Sequence, residues 1–280
     1  MSITFSNLAF ADVWRSLLRE LYDDGNIVSP RGQQIREITA VTLEVEDAYS
    51  NILVCPQRDL NYRFMVAEWL WIWFGLDDVK TISQYNSKIA MFSDDGLRFA
   101  GAYGPRVKQQ FPYVVDRLTK DIDSRQAIIE IYQEPGTAPT KDVPCTLSVQ
   151  FLVRDNKLQT IVCMRSSDVW LGLPYDFFNF SMIANILGSV LHVPLSSMIY
   201  HLGSSHLYEK NVETAYHVLY PEDISSLDSP RLSEPPSEAL GEILQDLNAP
   251  IILGSSIYQQ YAQILRSPRA LALQLLSELI

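Results

Sequence analysis

A cysteine preceded by a proline, Pro144-Cys145, is followed twenty residues on by Arg165, the head of the run Arg165-Ser166-Ser167-Asp168-Val169-Trp170-Leu171-Gly172-Leu173-Pro174-Tyr175-Asp176. A thiolate is the nucleophilic form of cysteine, and a guanidinium nearby favours it by opposite charge. Taken alone, Cys145 reads more often as a small buried hydrophobe; its company turns the reading toward chemistry. Glu68 lies amid Trp69, Trp71 and Trp73. A buried carboxylate is costly, so it is either paired with a buried arginine or titrates high beside trapped water. Arg31, Arg125 and Arg165 are candidate phosphate ligands, because a dianion calls for several guanidinium forks. Arg31 and Arg125, each alone, read equally as solvated loop charges. Asp176 can accept from an exocyclic amine and share a proton with a ring nitrogen, and it is also placed to cap or open a following helix.

These residues need a scaffold, and its class reads as α+β. Val13, Leu17, Leu18 and Leu21 recur at helical spacing, so Phe10 to Tyr22 is a helix stopped by Asp23-Asp24-Gly25. Ser29-Pro30-Arg31-Gly32 is a turn. Arg36 to Leu43 and Asn51 to Val54 read as strands, and Asn61 to Phe74 as an apolar helix with Glu68 at its centre. After the polar loop Asp121 to Arg125 comes the strand Ala127 to Tyr132. Pro135, Pro139 and Pro144 punctuate a loop, and the strands Thr146 to Arg154 and Leu158 to Met164 follow, joined by a hairpin at Asp155-Asn156. Phe177 to Leu191 is a long buried helix, and Met198 to Leu202 is another strand. From about Ser225 the composition shifts to a polar, proline-containing connector (Ser225 to Pro230, Ser233 to Ser237), and one amphipathic helix, Tyr258 to Ile280, closes the chain. The expectation is a single catalytic domain over residues 1–280 with a divergent C-terminal helical segment from about 225.

The chain has 280 residues, 47% hydrophobic and 20% charged, enough to bury a sizeable core. Its 22 Lys and Arg stand against 33 Asp and Glu, a net charge of −11 that argues against duplex nucleic acid as a partner. Cys55, Cys145 and Cys163 form no CxxC pair, so neither a disulfide framework nor a zinc site is expected, and no other metal site is read. No basic segment followed by a long apolar run opens the chain, and the apolar stretch Phe64 to Gly75 is too short for a bilayer. The expectation is a soluble, cytoplasmic protein with no membrane partner.

The ordered pattern Pro-Cys, hairpin, Arg-Ser-x-Asp-x-x-Leu-Gly-x-Pro-Tyr-Asp resembles the active centre of the thymidylate synthase superfamily, which includes the phage deoxycytidylate hydroxymethylases. The resemblance runs over roughly Arg31 to Tyr208. It takes in Ala-Glu68-Trp-Leu-Trp, the Gly-Ala-Tyr103-Gly104 turn, Asp123-Ser124-Arg125 and Gly203-Ser-Ser-His206-Leu-Tyr208. It implies a thymidylate synthase-like fold, a large mixed β-sheet packed with long helices, and a homodimer through the sheet. By resemblance Cys145 adds to C6 of a pyrimidine, Glu68 shuttles protons through ordered water, and Tyr103 helps remove the C5 proton. Arg31, Arg165 and Ser166 would hold the phosphate, with Arg125 reaching across from the partner. His206 and Tyr208 would hold the sugar 3′-hydroxyl. Asp168, Leu171, Gly172, Tyr175 and Ile89 would face the cofactor 5,10-methylenetetrahydrofolate, with Asp168 also counted at the nucleotide. The chain departs from the family pattern at Gln126 (a second arginine is usual), at Thr146 (a histidine is usual) and at Ile89, Met91 and Phe92, where two tryptophans are common.

The most consequential departure is Asp176, where enzymes acting on deoxyuridylate carry Asn. Uracil presents an N3–H donor and an O4 acceptor, which an amide matches. Cytosine presents the reverse, which a carboxyl matches by accepting from N4 and sharing a proton at N3. The residue set therefore implies a transferase that converts dCMP to 5-hydroxymethyl-dCMP. Water is the expected final nucleophile, because Leu271 to Ile280 reads as a helix rather than as the family's apolar closing tail. The alternatives are dCMP 5-methylation, CMP 5-hydroxymethylation (Ser166 favours deoxyribose), thymidylate synthesis on dUMP, and a non-catalytic nucleotide- or RNA-binding relative. A modified cytosine nucleotide points to a phage protecting its DNA, in the host cytoplasm, ahead of a nucleoside-antibiotic pathway.

Overall fold

The computed structural model describes residues 3–133, 140–220, 224–250 and 255–279. Pro135, Pro139 and Ile280, read above into a loop and the last helix, lie outside them. The described strands are β1 (Ile3–Asn7), β2 (Asn26–Val28), β3 (Ile35–Val45), β4 (Ile52–Val54), β5 (Ile128–Glu130), β6 (Thr146–Arg154), β7 (Lys157–Met164), β8 (Ser167–Asp168), β9 (Leu195–Tyr208) and β10 (Ser225–Leu227). The helices are α1 (Phe10–Asp24), α2 (Tyr62–Trp73), α3 (Val79–Ser83), α4 (Tyr103–Lys120), α5 (Leu173–Leu191), α6 (Glu209–Tyr216), α7 (Glu238–Gln245), α8 (Ser256–Arg266) and α9 (Ala272–Ser277).

One mixed sheet of order β1-β3-β9-β7-β6-β5 forms the base, with β2 joining β3 and β8 joining β9; β4 and β10 make a separate ribbon. The pairs β1/β3 and β7/β9 are parallel, and β3/β9, β6/β7 and β5/β6 are antiparallel. This is the expected α+β class with a large mixed sheet. Strand alternation sets its faces: Val149, Phe151 and Val153 of β6 are buried, while Gln150 between them is only partly so. On that second face Ile161, Cys163 and Ile199 are partly buried and His201 is exposed.

The first face carries the helices. Phe10 of α1 stacks on Phe177 of α5 at 4.1 Å, and Phe177 on Tyr200 of β9 at 5.3 Å. Because α5 is apolar all round, it must be buried on every side. It is covered by α2, whose Trp69 meets Phe178 of α5 at 6.2 Å and Tyr261 of α8 at 5.1 Å.

Several boundaries differ from the sequence reading, each for a local reason. Helix α5 begins at Leu173 rather than Phe177, because Pro174 in its first positions has φ preset for a helix and needs no N–H partner there. Helix α4 was not anticipated: Val107, Phe111, Val114 and Leu118 are buried at helical spacing, but Pro112 interrupts the pattern and sits on the exposed face. The connector from Ser225 contains β10, paired to β4. The last helix breaks at Ser267-Pro268 into α8 and α9, since a proline N cannot donate into a continuing helix. Strand β9 extends well past Met198 to Leu202 on both sides.

Candidate active site

The hairpin of β6 and β7 turns at Asp155 and Asn156, with φ of 51° and 57°, the left-handed pair a two-residue hairpin loop needs. Its regular register sets Ser148 opposite Cys163. A bulge between Thr146 and Ser148 then places Thr146 opposite Met164. The Arg165 N–H donates to the Cys145 carbonyl at 2.9 Å. Without the extra residue Arg165 would face Thr146, so the bulge is what sets the cysteine against the arginine. The guanidinium is then fixed: Nε donates to the Pro144 carbonyl and Nη2 to the Val143 carbonyl, both at 2.9 Å, and Nη2 stands 3.7 Å from Cys145 Sγ. Strand β9 closes in behind, where a Cβ on Gly203 would meet the Arg165 carbonyl at 2.9 Å.

This geometry corrects one expectation. Burial pushes the Cys145 thiol above its ordinary pKa; Arg165 and Arg31 oppose the rise, while Asp176 and Asp142 add to it. The arginine favours the thiolate without offsetting desolvation.

A cavity of about 210 Å³ is lined by Glu68, Trp71, Tyr103, Asp142, Asp176 and Asn179; Cys145 is not part of its lining but neighbours it through Tyr103, whose hydroxyl meets Thr146. Ile89, Phe92 and Phe99 form its apolar wall. Glu68, from the middle of α2, meets no arginine; Asn179 Nδ2 donates to its Oε2 at 2.8 Å. Burial pushes its carboxyl up to about 7, with the Asn179 bond opposing. Asp176 lies inside the first turn of α5, and no hydrogen bond from the described residues reaches its carboxylate. It therefore caps nothing, so the capping half of that reading falls, while the half that makes it an acid in the opening turn of a helix stands. Burial, then the charges of Glu68 and Asp168, pushes Asp176 far above the usual carboxylate range. The Tyr103 hydroxyl accepts from Thr146 N at 3.4 Å and lies 3.3 Å from Thr146 Oγ1, next to the cysteine. Burial, Asp176 and Cys145 all raise its pKa.

On the other side of Arg165, Ser166 Oγ lies 3.4 Å from His206 Nδ1. The short β8 pairs Asp168 with His206, and the ring of Tyr208 meets that of His206 edge-on at 5.3 Å. Burial lowers the His206 pKa from its ordinary value, while the Asp168 and Glu37 charges oppose. Arg31, at φ 54° on a tight turn, is exposed, and its charge acts on both Cys145 and His206. Arg125 does not join this group. Its carbonyl accepts from Gln150 in the middle of β6, whereas Cys145 precedes the first residue of that strand. The five residues from Cys145 to Gln150 span roughly 17 Å of strand.

The residues read toward the cofactor are split. Asp168 Oδ1 accepts from the N–H groups of Trp170 and Leu171 at 2.9 and 2.8 Å, leaving Oδ2 without a hydrogen bond, and burial raises its carboxyl. Leu171 is exposed beside it, and the Gly172 carbonyl accepts from Tyr175 and Asp176. Tyr175 is turned inward, its hydroxyl accepting from Asn61 N at 3.0 Å and its ring edge-on to Phe64. Ile89 lines the cavity mouth from a tight turn over Ser87–Phe92. A roomier hollow of about 440 Å³, between residues 55–62 and 269–273, holds none of the candidate side chains. Among the described residues no group of three or more His, Cys, Asp or Glu side chains could hold a metal ion, and no helix is long and apolar enough to cross a membrane.

Sequence reasoning missed Trp71, Asp142 and Asn179. Asn179 stands three residues after Asp176, on one helix face with it, and a correct start for α5 would have revealed it. Trp71 stood in view next to Glu68 but read as core. Asp142 sits in a proline-flanked loop whose pattern carries no such signal.

Residues 12–235 match the model of the family described as thymidylate synthase. The chain is 31% identical over 224 residues to a protein named deoxyuridylate hydroxymethyltransferase from Bacillus phage SP01, covering 73% of this chain and 58% of that protein. Proteins of the same name from Pseudomonas phage M6 (30% over 141 residues, 47% of this chain and 40% of that protein) and Delftia phage PhiW-14 (28% over 185 residues, 60% and 52%) are also similar. The chain thus spans about half the length of these phage relatives. A crystal structure of thymidylate synthase from T4 phage shares the fold, with a TM-score of 0.64 at 20% identity over 75% of this chain and 80% of that one. A family match over most of its length, a mixed sheet of matching fold and the cysteine–arginine pair at the bulged end of one hairpin agree: the chain belongs to the thymidylate synthase family.

Proposed function

We propose that this chain transfers a one-carbon unit to C5 of a cytosine nucleotide, turning dCMP into 5-hydroxymethyl-dCMP with water as the final nucleophile. The observation that carries this reading is Asp176, an acid in the cavity whose carboxyl accepts no hydrogen bond from the described residues and whose proton burial favours. A neutral carboxyl donates to N3 of cytosine through its hydroxyl and accepts from the N4 amine through its carbonyl. As the Cys145 thiolate forms its bond to C6, the ring electrons shift toward N3. The Asp176 proton neutralises them there, and the carboxylate left behind still accepts from N4. C5 is then the nucleophilic carbon. Tyr103, whose hydroxyl meets Thr146 next to Cys145, would help remove the C5 proton through a bound water, and Glu68, with a pKa near pH 7, would exchange protons with that water. Arg165, Arg31 and Ser166 hold the phosphate, and His206 and Tyr208 hold the sugar.

Members of this family take their one-carbon unit from 5,10-methylenetetrahydrofolate, which supplies carbon at the formaldehyde oxidation level. The residues present fit such a cofactor: the second oxygen of Asp168 is open to a ring N–H, and Ile89, Phe92 and exposed Leu171 offer an apolar margin. Asp168, Leu171, Gly172 and Ile89 would hold it, with Tyr175 buttressing the turn from within. None of the residues of α8 or α9 lines the cavity, which supports entry of water. The reading includes a single catalytic domain with a C-terminal addition from about residue 225, a homodimer through the partly exposed sheet face, and a cytoplasmic setting. Arg125, a strand's length from its own Cys145, would serve the partner's phosphate site.

A second reading, dUMP hydroxymethylation, is favoured by the names of the phage relatives and by the ability of a neutral carboxyl to turn toward N3–H and O4. Mass spectrometry of the products formed from dCMP, CMP and dUMP with methylenetetrahydrofolate separates the readings. The expected result is hydroxymethylated dCMP. Preference for dUMP, or equal turnover, overturns the cytosine assignment, and stoichiometric dihydrofolate overturns hydroxymethylation.

A further inference from the structure

The cavity holds one acid that the chemistry above leaves unused. Asp142 stands three residues before Cys145 and lines the cavity with Trp71 and Asn179. Its segment is held in place: Gly101 N donates to Oδ2 at 2.6 Å, the Asp142 N–H donates to Thr140 Oγ1 at 3.1 Å, and Asp94 ties down the Thr140 hydroxyl and Lys141 N. A Cβ on residue 101 would collide with the Asp142 carbonyl, so this loop closes only over glycine. Oδ1 carries no hydrogen bond from the described residues. Burial raises the carboxyl above its usual range, against the Gly101 bond and Arg106, which suits a group that must accept a proton.

Two buried polar atoms on the same lining residues have no protein partner, the Trp71 Nε1 donor and the Asn179 Oδ1 acceptor. Trp71 is 6% and Asn179 1% exposed. Each such atom costs about 1–3 kcal/mol unless water or ligand meets it. A buried water takes about two to four polar partners, and the Trp71 donor, the Asn179 acceptor and the Asp142 carboxylate belong to residues that line one cavity. Asp142 also stands only three residues before Cys145 on the chain, and its charge opposes the Cys145 thiolate.

We propose that Asp142 holds the water that completes the reaction and takes its proton. The inference rests on the hydroxymethyl reading. A bond forms from the water oxygen to the exocyclic methylene carbon on C5. One O–H bond breaks, and its proton passes to the Asp142 carboxylate. The methylene double-bond pair moves into the ring and returns to re-form C5=C6 as the Cys145 sulfur leaves C6 as thiolate.

The test uses the full chain with Asp142→Asn and Asp142→Ser, given the nucleotide that the unaltered protein turns over and methylenetetrahydrofolate. Tritium release from C5, which precedes the water step, is read beside mass-resolved product, and nucleotide affinity without folate is read by calorimetry. Affinity should stay within about threefold and tritium release should persist, while hydroxymethyl product per tritium released falls on the order of 100-fold. A stalled protein–nucleotide adduct or a methyl product takes its place. Gly101→Ala, which displaces the Asp142 loop, should move the ratio the same way. An unchanged ratio in both Asp142 variants overturns the proposal, and so does loss of nucleotide binding in both. An unaltered protein that makes no hydroxymethyl product overturns the function together with this inference; one that does, with indifferent variants, overturns the role of Asp142 alone.

Discussion

Asp176 differs from asparagine by one oxygen in place of one nitrogen, and in the proposed function that exchange decides which proton pattern the pocket meets. Asp176→Asn should lower kcat/KM on dCMP by about 100-fold or more and raise it on dUMP, since a site built for one donor–acceptor order leaves the other unpaired. A variant that keeps its preference for dCMP refutes the assignment. Glu68 tests the same pocket through stability. In the folded chain its carboxyl keeps a proton up to about 7, against 4.5 in the ordinary state. The folded state therefore binds the extra proton between those values. Stability from this group is whole below 4.5, falls as pH rises to 7 and stays low above, by about 3 kcal/mol. Glu68→Gln removes the loss: its melting temperature should match the unaltered protein near pH 5 and exceed it near pH 8. Equal or lower melting near pH 8 counts against a buried, high-titrating Glu68. The candidate residues could be read from the chain because their types are rare in such an order. Their protonation could not, since burial outweighs Arg165 at Cys145 and only the assembled pocket sets burial.

Elements deliver these residues to one another through few contacts. The run from Arg165 to Asp176 is pinned by Trp14 of α1, whose indole N–H donates to the Val169 carbonyl at 2.7 Å, while Val169 N donates to the His206 carbonyl at 2.9 Å. Trp14→Phe removes the indole N–H, together with part of the ring packed on Trp170, and leaves that buried carbonyl bare. Unfolding stability should drop by about 1–3 kcal/mol, and urea titration would show it; an unchanged midpoint means that the bond contributes nothing. The hairpin of β6 and β7 was legible to within a residue, because alternating apolar residues and Asp155-Asn156 agree on it. The bulge at Thr146 was not, since no residue type there demands it, and it alone decides what faces Arg165. The start of α5 slipped for a related reason. Pro174 was read as part of a motif when it was also a helix-opening signal.

At the scale of the molecule, the proposed homodimer carries its own prediction. The Arg125 carbonyl is held by Gln150 in the middle of β6 while Cys145 immediately precedes that strand, so under that proposal Arg125 would serve the phosphate site of a second copy packed on the sheet. Mixing Cys145→Ser chains with Arg125→Ala chains, each inactive or weak alone, should restore about a quarter of full activity once subunits exchange, because half of the dimers then carry one intact site. Activity that never exceeds that of the separate variants argues against a shared site.

The C-terminal helices bear on chemistry they do not touch. Helix α8 lies beyond the family match, yet Tyr261 covers Trp69, the residue next to Glu68, and the Leu265 carbonyl accepts from Arg63 Nε at 2.6 Å on the same helix. These contacts hold one side of the helix that carries Glu68, whose carboxyl burial raises to about 7. Under the proposed chemistry, substitutions in this outer layer would shift the pH at which Glu68 exchanges its proton while every pocket residue stays the same.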